Sequence, residues 1–159
     1  MLLDYLPADL SGRRLFDAGC GTGLLAVEAA RRGAEVVAVD LSPTLIELAR
    51  ERMPHDLPGR IDFRAGDMFD PALGEFDHVV AMDSLIHYHA PDIVQVLAGF
   101  AARTRDSVVF TFAPRTAALA LMHAVGKLFP RSNRAPAIEP VSEKKLRRLI
   151  AQEPGLAGW

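Results

Sequence analysis

Residues able to do chemistry gather in four short stretches, each at the end of an apolar run. The first is Leu15-Phe16-Asp17-Ala18-Gly19-Cys20-Gly21-Thr22-Gly23. An apolar run ends in an acid, glycines alternate, and a helical pattern starts at Leu24. Glycine tolerates positive φ and admits a ligand where a Cβ would clash. The helix N-terminus behind it offers unpaired N–H groups. Asp17 brings negative charge to the same crevice and so favours a ligand carrying a cation. A dinucleotide fingerprint, G-x-G-x-x-G/A, fits poorly, because its last small position falls on Leu24 and the glycine sits one place early, at Gly23. Asp17 would also repel a pyrophosphate. S-adenosylmethionine has no phosphate and carries a sulfonium and an ammonium. Asp17, Gly19, Gly21 and Gly23 are therefore candidate residues for binding it, with a plain tight turn as the alternative.

The second stretch, Glu35-Val36-Val37-Ala38-Val39-Asp40, reads as a buried strand ending in a carboxylate. Asp40 lies seventeen residues after Gly23, near the spacing at which an acid accepts from a ribose diol. Its other role is to start the next helix at Ser42-Pro43. In the third stretch, Gly66-Asp67-Met68, Asp67 can accept from an adenine amino group and Met68 can pack on the ring. A turn aspartate is the alternative. The fourth is Met82-Asp83-Ser84-Leu85-Ile86-His87-Tyr88-His89, where a substrate should meet the donor. Met82 joins the cofactor candidates. His87 is the catalytic candidate, able to orient or deprotonate an acceptor, and Tyr88 can stack or hydrogen-bond. A histidine at a helix start with no chemistry is the other reading. His87 and His89 lack further ligands nearby, so no protein metal site is expected.

Alternating elements must position these stretches. Helical patterns run from Leu24 to Arg31-Arg32-Gly33, from Pro43 to Met53, and from Pro91 to Arg103. Strand patterns cover 61–65, Phe76 to Met82, and Ser107 to Phe112. Alternation predicts an α/β, Rossmann-like doubly wound parallel sheet, and right-handed crossovers give the order 3-2-1-4-5. After Pro114 the pattern changes. Thr116 to Phe129 reads as an apolar-faced helix, 130–140 as a proline-rich loop, and Ser142 to Ile150 as a capped basic helix. One domain over 1–159 is expected, with a cofactor-binding core at 1–113 and a substrate-side helical segment at 114–159.

The chain has 159 residues, half of them hydrophobic, enough for one core. Its net charge of −2 gives no reason to expect nucleic acid. The charge is unevenly spread: 1–113 carry 10 basic and 17 acidic side chains, and 114–159 carry 8 and 3. The single cysteine, Cys20, excludes an internal disulfide and fits a reducing compartment. It reads as a small loop residue before a catalytic thiol. The N-terminus has no signal-peptide pattern and no apolar run approaches a membrane span, so a cytoplasmic location is expected.

The first three stretches together resemble the class I S-adenosylmethionine-dependent methyltransferases, over roughly Leu15 to Pro114. A narrower resemblance rests on Met82 to Tyr88, on Phe110-Thr111-Phe112-Ala113-Pro114-Arg115-Thr116, and on His123-Ala124-Val125-Gly126-Lys127-Leu128-Phe129-Pro130-Arg131-Ser132. These blocks resemble the magnesium-protoporphyrin IX O-methyltransferases of chlorophyll and bacteriochlorophyll biosynthesis. The resemblance implies methyl esterification of one porphyrin propionate, with Mg²⁺ carried by the substrate, and a magnesium chelatase subunit as a partner. The class has seven strands where five are legible here, and family members are longer at both ends. The expectation is a chain lacking strands 6 and 7 and part of a substrate lid, binding the donor weakly and turning over poorly. On the substrate side, Lys127, Arg131 and Arg134 can meet a carboxylate, and His123 is an axial candidate for the chelated metal. The basic residues also suit a solvated face or peripheral contact with anionic lipid. Rival readings are a quinone or phenol O-methyltransferase and a non-catalytic cofactor-binding module. An NAD-dependent enzyme is disfavoured by Leu24 and Asp17.

Overall fold

A computed structural model describes residues 2–114 and 138–159 of the chain. Five parallel strands form one sheet: β1 (Arg14–Ala18), β2 (Glu35–Asp40), β3 (Arg60–Ala65), β4 (Phe76–Ala81) and β5 (Thr104–Phe110). Their order is β3-β2-β1-β4-β5, the expected doubly wound arrangement. The helices are α1 (Leu24–Arg31), α2 (Pro43–Glu51), α3 (Ala90–Ala101) and α4 (Glu143–Gln152). The order reverses at β1, so the C-terminal ends of β1 and β4 open a crevice there.

Local chemistry sets the element boundaries. Ser42 caps α2 by accepting from the Leu45 N–H at 3.3 Å, with Pro43 in the first turn. Ser142 caps α4 through the Lys145 N–H. Two apolar layers cover the sheet. One packs α1, α2 and the N-terminal Leu3, Leu6 and Leu10 against Leu15, Val36 and Val80. The other packs α3 and α4 against Phe16, Val79 and Ala81. Phe16 stacks on Phe76 at 4.9 Å and meets the edge of Phe100 at 5.9 Å. Truncating so buried a ring to alanine costs about 3–5 kcal/mol.

β5 starts three residues earlier than the apolar run at Ser107 predicts. Thr104-Arg105-Asp106 carry no hydrophobic signal, yet Thr104 pairs with Phe76. β5 lies at one end of the described sheet and its polar residues reach solvent. Beyond the fifth strand, Pro114 bridges Val141 in parallel, and the Val141 N–H donates to the Ala113 carbonyl at 2.8 Å. The helix expected over 116–129, with His123, Lys127, Arg131 and Arg134, lies outside the described residues.

Candidate functional site

Four loops converge at the C-terminal edge of the sheet, and two clefts meet at Gly19. The first cleft, about 190 Å³, is walled by Val39, Asp40, Leu41, Asp67, Met68 and Phe69, with Ser84 and Tyr88 opposite. The second, about 280 Å³, is walled by Asp17, Cys20, Gly21, Thr22, Met82 and Asp83. Gly19 lines both. The site therefore has two lobes that share Gly19, a largely apolar one over β2 and β3 and one carrying Asp17 and Asp83 over β1 and β4.

The glycines divide the work of the loop. All three have positive φ, at 79°, 54° and 79° for Gly19, Gly21 and Gly23. A Cβ on Gly23 would lie 2.6 Å from the Phe63 ring, and one on Gly19 would lie 2.5 Å from Ser84 Cβ. A Cβ on Gly21 would meet nothing within 4 Å. Gly19 and Gly23 thus allow close packing of the loop, while Gly21 faces open space. Gly23 performs the helix-to-strand packing that the dinucleotide pattern assigns to the next position, and Leu24 is left exposed.

Asp40 holds the loop in place. One carboxylate oxygen accepts from the Gly21 N–H at 2.9 Å and the other from the Ser42 N–H at 2.9 Å. Both sequence readings of this residue are thereby compatible: it starts α2 and it faces the apolar lobe. A carboxylate has about four lone-pair sites, so acceptor capacity remains for a diol. Asp67 forms a turn by accepting from the Phe69 N–H at 2.9 Å, and it lines the same lobe.

Asp17 is 1% exposed, and its Oδ2 has no hydrogen-bond partner. Burial pushes its carboxyl up to about 7, against a lowering backbone hydrogen bond from Ala26 and with further raising by Asp40. A buried acid with an unsatisfied oxygen suits an incoming cation, which would restore its ionised form. Burial also pushes the Cys20 thiol up to about 12, with Asp17 and Asp40 adding to the effect, so a nucleophilic thiolate is disfavoured.

The loop after β4 is built differently. Asp83 adopts φ 57°, an uncommon conformation for a residue with a side chain. It is held there by Thr111: the Asp83 N–H donates to Thr111 Oγ1 at 2.7 Å, and that hydroxyl donates to Asp83 Oδ1 at 3.1 Å. The Glu139 N–H donates to the Ile86 carbonyl at 2.8 Å, and its carboxylate lies 3.3 Å from His89 Nδ1. This ties the loop carrying His87 to the segment before α4. His87 is half-buried. Tyr88, expected on the substrate side, stands on the wall of the first cleft beside the cofactor candidates. Ser84 carries no local sequence signal. Its buried Oγ has no partner and it lines the first cleft. What marks it is three-dimensional, the close approach to Gly19. Thr111 and Glu139 are equally silent in the sequence, because each acts across long sequence separations. No group of His, Cys, Asp and Glu able to hold a metal occurs among the described residues.

Comparison with known proteins gives two overlapping family matches. The family model described as "Methyltransferase domain" matches residues 15–107. The model described as "Magnesium-protoporphyrin IX methyltransferase C-terminus" matches residues 81–159. The chain is 58% identical to a magnesium-protoporphyrin O-methyltransferase of Rhodobacter capsulatus over 93% of its own length and 66% of the relative's. It is 33% identical to the chloroplastic magnesium protoporphyrin IX methyltransferase of Arabidopsis thaliana, spanning 50% of that protein. A crystal structure of magnesium protoporphyrin IX methyltransferase from Synechocystis with bound SAH superposes with a TM-score of 0.73 at 26% identity. That alignment covers 90% of this chain and 64% of the other.

Proposed function

We propose that this chain, which belongs to the methyltransferase-domain family and, through residues 81–159, to the magnesium-protoporphyrin IX methyltransferases, esterifies one propionate of magnesium-protoporphyrin IX with a methyl group from S-adenosylmethionine. The observation that carries this reading is the two-lobed site itself, with a buried Asp17 whose Oδ2 is unpartnered in one lobe and Asp40 in the other. When bound, the sulfonium supplies a methyl carbon to a carboxylate oxygen, with the C–S bond breaking as C–O forms and a neutral thioether leaving. Asp17 holds the donor's ammonium. Asp40 accepts from the ribose hydroxyls, Gly21 leaves room for the methionine portion, and Met68 packs on the adenine with Asp67 accepting from its amino group. Gly19 and Gly23 keep the loop closely packed, and Met82 lines the donor's path.

A propionate is already ionised at neutral pH, so the acceptor needs alignment more than deprotonation. His87 supplies that alignment by donating to the carboxylate. Charge is lost as anion and sulfonium combine, so excluding water speeds the step. In this reading residues 1–113 bind the donor and carry His87, 114–159 serve the porphyrin, and the Mg²⁺ is the substrate's own. His123, Lys127 and Arg131 are assigned to the porphyrin side, with Tyr88 at the junction of donor and acceptor. The exposed Lys144, Lys145 and Arg148 of α4 support peripheral contact with an anionic membrane at the cytoplasmic face. No helix among the described residues is long and apolar enough to cross a membrane. A magnesium chelatase subunit is the proposed protein partner, as the source of the chelate.

The test is incubation of the full-length protein with S-adenosylmethionine and magnesium-protoporphyrin IX, followed by mass analysis. The expected product is a monomethyl ester of the chelate. Methylation of a quinol or phenol with none of the porphyrin would overturn the acceptor assignment. Donor binding with no turnover on any acceptor would leave a binding module.

A further inference from the structure

The wall of the apolar lobe is a loop, residues 66–70, with no regular structure of its own. What holds it in place comes from the opposite edge of the sheet. Arg103 follows α3 and precedes β5. Its backbone is fixed there: the N–H donates to the Phe100 carbonyl at 3.1 Å, and the carbonyl accepts from the Phe76 N–H at 2.9 Å. From that anchor its half-buried side chain runs inward over two aromatic rings. The guanidinium lies 5.1 Å from the Phe16 centroid and 5.8 Å from that of Phe100. Its two terminal nitrogens then reach the back of the loop. Nη1 donates to the Asp70 carbonyl at 3.0 Å and Nη2 donates to the Met68 carbonyl. Phe69, between those carbonyls, stacks on Phe100 at 6.0 Å with its plane tilted by 20°. One side chain therefore grips both residues flanking Phe69, while Phe69 rests on the ring the guanidinium covers.

We infer that Arg103 is a positioning residue for the adenine side of the donor site, holding Asp67, Met68 and Phe69 at the distance an adenine ring requires. The inference rests on the methyltransferase reading above and goes beyond it, because Arg103 lines neither lobe. Arginine alone suits this position, since its planar fork serves two carbonyls at once and stacks on rings, whereas lysine offers a single point of donation. Burial draws the guanidinium below its ordinary value, against the opposing pull of Asp70 and Asp67. The loop and its clamp are thus electrostatically matched as well as hydrogen-bonded.

The test is calorimetric titration of the whole chain with S-adenosylhomocysteine and with its analogue carrying hypoxanthine in place of adenine. The proteins are wild type, Arg103→Met and Arg103→Lys. Arg103→Met should bind S-adenosylhomocysteine roughly ten- to thirtyfold more weakly, as expected for losing charged hydrogen bonds. It should also lose most of the wild type's preference for adenine over hypoxanthine. Arg103→Lys, which keeps the charge and the apolar stem, should fold as wild type and recover part of both. A lower melting temperature with adenine preference intact in folded Arg103→Met would make Arg103 a purely structural residue and overturn the inference. Wild-type chain that binds neither ligand would instead overturn the donor reading on which it rests.

Discussion

The donor side and the acceptor side of this molecule solve the same problem by different means. On the donor side, position comes from backbone and burial. Gly23 packs on Phe63, Asp40 clamps the Gly21 N–H, and Asp17 sits under the loop with one oxygen unsatisfied. On the acceptor side, position comes from side chains borrowed across the fold. Thr111 of the segment after β5 holds Asp83 in a strained conformation, and the Glu139 carboxylate reaches back to His89. A preformed donor site can serve many acceptors, and the methyltransferase-domain match over 15–107 fits that generality. The loop after β4, the proposed acceptor loop, lies within both family matches, 15–107 and 81–159.

If the two sides are separate machines, variants on one should leave the other's readout alone. The largest effect is expected for His87→Ala. Turnover on the chelate should fall by about 10²–10⁴-fold, the range for a positioned acid, base or donor. Affinity for S-adenosylhomocysteine should stay within about twofold by calorimetry. Equal losses in both would place His87 on the donor side. Next comes Asp40→Ala, which removes ribose acceptors and the partner of the Gly21 N–H together. Affinity for S-adenosylhomocysteine should drop by roughly 10–100-fold. Unchanged affinity in a folded variant would remove the ribose assignment. A smaller effect is expected for Thr111→Val, which leaves the Asp83 N–H without its acceptor and releases the strained residue. Turnover should decline by about three- to tenfold with donor affinity unchanged. A loss confined to melting temperature would show that Asp83 is held for stability alone.

The same contrast explains what could be read from the amino-acid order. Strand and helix positions followed from periodicity, because Val36 to Val39 and Val79 to Ala81 are buried and apolar. The turn at Gly19, the strand ends at Asp17 and Asp40 and the start of α2 were legible because each leaves a mark within a few residues. β5 was read short because its first residues face solvent. Ser84, Thr111, Glu139 and Arg103 were not legible, since their roles depend on partners 28 to 65 residues away or on a backbone approach no spacing encodes. Gly23 was read as a ligand-facing glycine, whereas its space is taken by Phe63.

Asp17 joins stability to binding, and its pH behaviour probes the account most directly. Its folded value near 7 lies above the ordinary 3.8, so the unfolded chain gives up its proton first. Native stability should therefore fall as pH rises from about 4 to about 7, and Asp17→Asn should melt higher than wild type at pH 8. Ligand affinity should move the other way, because only the ionised carboxylate attracts an ammonium. The decisive measurement is the affinity of S-adenosylhomocysteine for wild type and Asp17→Asn at pH 6 and pH 8. The account predicts that wild-type binding tightens about tenfold between those values, from the ionised fraction of a group titrating near 7. It also predicts weaker, nearly pH-independent binding in Asp17→Asn. Equal affinity at both pH values in wild type, or the same pH dependence in the variant, would contradict the claim that a buried carboxylate anchors the donor.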